Sequence, residues 1–253
     1  MNKFAALLFV ALPMIPACRG ASYRAEVGPY FAQARGDVAL QNAGGTLQLG
    51  QNQQDLERNL GLGDNEVSPY VRLQADKDKH RVRLHGFGVE EDGSGVLTSD
   101  YGGIVAGASV QTNMDLYSIA ASWSYQVWRG ENYRVGLGGQ AGFYSLDVAA
   151  RSAVGREEVT TSVLVPMPFV EAEWMWRDFT VGANAALMSA DLGDASGRYL
   201  DLEGYGRWQI GKDFDVFAGY RYFVLDGYGE ASSREFDADV DVHGWFFGAG
   251  VKF

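Results

Sequence analysis

Three histidines and a single cysteine leave this 253-residue chain few groups that could move protons or act as nucleophiles. Asp241 and His243 stand two residues apart in an alternating segment. On a strand they point the same way, so the carboxylate could orient the imidazole as a general base. Asp237 and Asp239 continue the row. Three carboxylates on one face suit a hard divalent cation such as calcium or magnesium; the alternative is a solvated acidic rim. His85 follows Arg81 and Arg83 at period two. Three cationic or titratable groups on one inward face require acids opposite, because a confined unpaired charge is costly. The same projection turns Glu26, Glu171, Glu173, Asp201 and Glu203 inward, with Arg24, Arg72, Arg134, Arg207 and Arg221 as further bases. Either a packed lattice of ion pairs or a polar conduit would use these groups. No Ser/His pair has a recognisable local spacing. The glycine runs at 86–88, 102–103 and 136–139 lack the lysine and the strand-loop-helix setting of a phosphate loop, and are assigned to structure. No catalytic residue and no cofactor are expected.

The elements that position these groups are strands. Period-two segments fall at 23–34, 67–75, 80–91, 113–128, 132–149, 159–176, 178–191, 198–211, 214–228 and 239–253. In 198–211, Leu200, Leu202, Gly204, Gly206, Trp208 and Ile210 alternate with Tyr199, Asp201, Glu203, Tyr205, Arg207 and Gln209. Tight turns at 76–79, 129–132, 177–178 and 211–213 alternate with longer connections at 35–66, 92–112, 150–158, 192–197 and 229–238. Aromatics gather at the ends of the apolar faces: Trp174, Trp176, Trp208, Tyr133, Phe179 and Phe214 beside the short turns, Tyr117 and Trp245 towards the other end.

Short turns on one side, longer loops on the other and aromatic girdles are features of outer-membrane β-barrels. The last strand adds to this. Trp245, Phe247, Val251 and Phe253 share one face, and the segment resembles the terminal strand of bacterial outer-membrane barrels, whose final aromatic is part of the signal read by the insertion machinery. The spacing predicts an all-β, closed, antiparallel up-and-down transmembrane barrel over 22–253 with ten strands, eight being the alternative. Residues 1–21 read as a signal peptide, an apolar run from Phe4 to Ala17 behind Lys3, with cleavage between 17 and 22. Cys18, in Ile15-Pro16-Ala17-Cys18, is a lipidation candidate. A formal charge of −11 excludes nucleic acid as a partner. The charged fraction of 21% is compatible with a barrel, in which only alternate residues meet lipid. A soluble ligand-binding barrel such as a lipocalin would place the apolar faces inside instead.

A second resemblance covers most of the chain after the signal. Asp55, Leu56, Leu60, Gly61 and Leu62, followed by Glu66, Val67, Pro69, Arg72 and Leu73, are similar to an acidic DL...LGL stretch after the first strand, leading into an E-V-x-P-x-x-R-L strand, in a set of small Gram-negative outer-membrane barrels. The resemblance implies the architecture and brings no reaction with it. The Asp241-x-His243 spacing also resembles half of the site of omptin-type barrel proteases. Here the register turns His243 outward with Trp245, so an interfacial polar pair is expected. The expected role is structural or interactive at the surface of the outer membrane, or restricted small-solute passage. Lipid, lipopolysaccharide and the insertion machinery are the expected partners, with divalent cations at the rim. A barrel enzyme acting on lipid or peptide is the second class, and a soluble ligand-binding barrel the third.

Overall fold

A computed structural model describes residues 20–42, 52–64, 66–192, 195–231 and 234–253; the signal segment through residue 19, with Cys18, lies outside them. The strands are β1 (Ser22–Leu40), β2 (Gln54–Asp55), β3 (Glu66–Lys77), β4 (His80–Val96), β5 (Ser109–Arg129), β6 (Tyr133–Arg151), β7 (Arg156–Trp176), β8 (Phe179–Leu192), β9 (Ala195–Ile210), β10 (Phe214–Ala231) and β11 (Arg234–Lys252). Each long strand pairs antiparallel with the next, and β11 returns to β1. At the seam, Tyr23 and Phe253 exchange backbone bonds of 2.9 and 3.0 Å. The ring therefore has ten long strands, and the eight-stranded alternative is excluded. β2 is a two-residue addition that pairs with β1 at Val38 and Asp37. Among the described residues no helix is long and apolar enough to cross a membrane; a closed ring of strands satisfies the backbone in lipid without one.

The strands run further outward than their apolar faces suggest, because the alternation changes sign part-way up. Along the lower part of β5, Tyr125, Trp123, Ile119 and Tyr117 face out while Gln126, Ser124, Ser122 and Ser118 are buried inside. Above Tyr117 the outward residues are Asp115, Asn113 and Gln111, and the buried ones Leu116, Met114 and Val110. β6 follows suit, with Leu137 and Phe143 outward over inward Gln140, and then Asp147 outward over Leu146 and Val148. The lower barrel is dressed for lipid. The upper barrel is dressed for water and holds its own apolar core. Both arrangements weighed from the sequence thus occur, one above the other. The connections shrink accordingly: 92–112 becomes 97–108, and 150–158 becomes 152–155.

The acidic, leucine-rich segment after β1 fills the top of the barrel. Asp55 accepts the Arg58 N–H (2.7 Å) and donates its own N–H to Asn59 Oδ1 (3.0 Å), winding a turn that drives Leu56, Leu60 and Leu62 into the core. Gly61 has φ +71°, and a Cβ there would sit 2.2 Å from the Ser94 carbonyl oxygen, so no larger residue fits. Glu91 fastens the segment by accepting the N–H of Gly63 at 2.6 Å and that of Ala34 at 3.4 Å.

Two strand pairs separate before reaching the top, and prolines account for both. β7 and β8 are paired only from Trp176/Phe179 to Phe169/Ala186. The two-residue turn makes Trp176/Phe179 a mutually bonded pair, so every second residue back along β7 aims its backbone at β8. Met175, of the other parity, donates to Asn132 at 2.7 Å on the β6 side. The next β8-facing positions above the last pair are Pro168 and Pro166, which have no N–H to give. β3 and β4 likewise part above Val71/Gly86, where the β4-facing position is Pro69. There the Gly88 N–H is taken by Ser68 Oγ at 3.2 Å.

Candidate functional site: the filled lumen

The periplasmic half of the lumen holds the residues that sequence projection turned inward. Arg72 bonds Glu26 at 2.5 Å and also Glu203, with its guanidinium 4.7 Å from the Tyr205 ring centre. Arg81 reaches Asp76 (2.6 Å), Glu171 (3.0 Å) and Glu173 (3.1 Å). Arg83 shares Glu171 at 2.9 Å, Arg134 meets Glu173 at 2.5 Å, and Arg207 meets Glu26 at 2.6 Å. Arg221 grips Asp201 with two bonds of 2.9 and 2.7 Å, the forked geometry that suits a guanidinium. Arg24 pairs with Asp215 at 3.1 Å.

Arginines 24, 72, 81, 83, 134, 207 and 221 are thus matched by Glu26, Asp76, Glu171, Glu173, Asp201, Glu203 and Asp215, so the described ion pairs of the lumen balance in charge. Tyr70 and Asn184 bond Glu203 (2.7 and 3.2 Å), Ser124 bonds Glu171 (2.5 Å), Gln140 bonds Asp201 (3.0 Å), and Tyr205 bonds Glu173. His85 Nε2 lies 2.9 Å from an Arg221 nitrogen, which can only donate. The same Nε2 is 3.5 Å from Asp201 Oδ2, so His85 contacts both members of that pair.

Above the lattice lies a floor of rings. Tyr70 stacks on Phe246 at 4.5 Å, Tyr144 on Phe223 at 4.8 Å, and Phe87 meets Tyr30 edge-on at 5.4 Å. Glycines make room for them: a Cβ at Gly219 would sit 2.4 Å from the Phe246 ring. Over the floor pack Leu116, Leu146, Val148, Val240 and Val242, and Leu56, Leu60, Leu62, Leu97, Tyr101 and Ile104 close the top.

Every inward-projected site residue is in the lumen. Asp76 and Asp215 were missed. Both adjoin short turns, where alternation gives no face, although their position beside inward arginines was a usable signal. The remaining histidines lie elsewhere. His243 Nδ1 is 3.0 Å from Asp241, with Tyr220 and Tyr222 nearby on the outer wall, and His80 stacks on Trp123 at 5.8 Å. The outward register expected for His243 is what the pairing gives.

The rim aspartates lie on one outer face but do not converge. Asp237 is buried and accepts from Gln53 at 3.4 Å, and Asp241 is held by His243. Among the described residues no three His, Cys, Asp or Glu side chains come together as metal ligands, Asp237, Asp239 and Asp241 included. Asp239 instead stands in a row across four strands, since Asp37 pairs in register with both Asp55 and Asp239, and Asp239 with Asp226. Burial first and then Asp226 raise the Asp239 carboxyl above the usual range; burial and then Asp55 do the same for Asp37. Trp245, Phe247, Val251 and Phe253 are all exposed on the lipid face.

The sequence matches no protein-family model and no curated protein. Among solved structures, the outer-membrane protease OmpT of Escherichia coli superimposes with a TM-score of 0.63 at 11% identity, over 92% of this chain and 96% of that one. The translocator domain of the autotransporter NalP from Neisseria meningitidis gives 0.45 at 13% identity, over 98% and 94%, and the attachment invasion locus protein Ail of Yersinia pestis 0.39 at 13%, over 91% and 99%. Only the first of these three is near enough in shape to bear on the fold. With the lipid-facing belt and the closed ring, it gives this chain the fold of an outer-membrane β-barrel.

Proposed function

We propose that this barrel is closed to solutes and acts as a structural or surface-interacting protein of the outer membrane, without a catalytic role. The observation that carries the reading is the layered filling of the lumen: a charge-balanced lattice below, an aromatic floor, an aliphatic core with a cavity on its β7–β8 side, and the 52–64 segment on top. A ten-stranded ring encloses little more than its own side chains, and here those side chains are engaged with one another. The part that favours lipid and the acyl chains of lipopolysaccharide as immediate surroundings is the lipid belt, above which stands an acidic outer wall. In this reading residues 1–21 direct export, Cys18 is the position for an acyl anchor, and the β11 face with Trp245, Phe247, Val251 and Phe253 is what the insertion machinery meets.

The test is heat-modifiable gel mobility of protein from washed outer membranes, followed by single-channel recording in planar bilayers. A mobility shift with a silent bilayer is expected. Discrete conductance steps from the shifted species would replace the closed barrel with a pore.

A further inference from the structure

We propose that the gap between β7 and β8 is a lateral port through which the acyl chain of an outer-leaflet lipid enters the upper barrel. Above Phe169/Ala186 the two strands are no longer paired, and the missing donors are those of Pro168 and Pro166. A cavity of about 470 Å³ opens at this level, within the range of pockets that hold a small apolar ligand. It passes through the wall. Its lining includes outward-facing Leu164 and Pro166 together with Val163, Val165, Met188 and Leu225 of the interior.

The position selects the occupant. Leu164 and, across the gap, Leu187 are 67% and 58% exposed and belong to the lipid-facing belt, so the mouth is continuous with the surface already in contact with hydrocarbon. A chain end entering there exchanges one apolar environment for another, while the polar lattice lies below the aromatic floor and is not reached. The corresponding gap between β3 and β4 opens into a smaller and more polar pocket of about 160 Å³, lined by Glu66, Ser68, Pro69, Gly88, Glu90 and Tyr117, and the 52–64 segment lies against β4 above it at Gly61 and Ser94. Of the two, the β7–β8 gap has the larger opening, and its mouth at Leu164 and Pro166 lies on the lipid-facing side.

The experiment uses the full mature chain, refolded into phospholipid vesicles containing a trace of phosphatidylethanolamine with a diazirine near the end of one acyl chain. After photolysis, the labelled residues are mapped by mass spectrometry. Label on Val163, Val165, Met188 or Leu225 is expected, in addition to label on the outer belt. A Pro166→Val, Pro168→Val double variant restores two donors towards β8 and should lower the interior label severalfold while the belt label stays constant; heat-modifiable mobility checks that it is folded. Label confined to outward residues in the wild type would overturn the port. Interior label unchanged in the double variant would overturn the role of the prolines. Interior label from a free diazirine fatty acid, but not from the phospholipid, would overturn the assignment to a membrane lipid.

Discussion

Arg221 shows what the lumen demands of one side chain. It is fully enclosed, doubly bonded to Asp201, bonded to His85 and placed 4.8 Å over the Phe87 ring. Arg221→Met would leave Asp201 without its cation, and breaking one partner of a buried pair costs about 3–5 kcal/mol. The variant should unfold at clearly lower urea concentration, and Asp201→Leu added to it should recover much of the loss, because the stranded charge then goes too. Equal and additive losses in a double-mutant cycle would show that the pair is not coupled. Glu91 is a different case, outside the lipid belt. Burial holds its carboxyl above the usual range, against the pull of the Gly63 and Ala34 N–H groups, with Glu66 and Asp64 adding to the rise. Below the ordinary glutamate range both folded and unfolded states are protonated, and nothing is lost. As pH climbs from there to the raised folded value, the unfolded state gives up its proton first, so docking of the 52–64 segment weakens and then levels off. Protection of the Gly63 amide against hydrogen exchange, corrected for the intrinsic rate, should fall across that interval and be flat in Glu91→Gln.

At the scale of elements, ten strands were legible because the lipid face of each is apolar at every second position over a membrane's thickness. Their outer ends were not, because the apolar residues change sides there: a segment such as 109–112 stops matching the face below it and so reads as loop. The lattice was legible as a face but not as a set of pairs. Arg72 and Glu203 are 131 residues apart, and only the closure of the ring decides that they meet. The plug had a visible signal in Leu56, Leu60 and Leu62, apolar residues in a connection that should have been polar. The acidic row Asp55–Asp37–Asp239–Asp226 was invisible for the same reason as the ion pairs, since it depends on register across four strands. Like charges directly opposite on neighbouring strands oppose pairing by about 0.2–1 kcal/mol each, less in salt. Asp239→Asn should therefore raise thermal stability at neutral pH and low salt, and the gain should disappear both at acid pH and in high salt. A gain independent of salt would point to packing instead.

For the molecule as a whole, the distinction between plug and pore turns on Arg207. Arg207→Ala removes the cation shared by Glu26 and, at 3.8 Å, Asp215, at the periplasmic end and below the aromatic floor. If the barrel is closed by several layers, this variant should lose stability and remain silent in a planar bilayer. A conducting variant of unchanged stability would mean that the upper layers do not seal.

The sign change along the strands also governs how copies of the protein sit beside one another. On β11 the belt ends near Trp245, and Asp239 lies six residues further out. At about 3.3 Å per residue and a tilt near 45° that is roughly 14 Å above the belt's edge, beyond a headgroup layer about 6 Å deep. The carboxylates of Asp37, Asp226 and Asp239 are thus carried clear of the phosphates into open water. Two copies drawn together by their greasy waists would repel at their crowns, so crowding in the membrane would splay them apart and favour a spaced array over a close-packed raft.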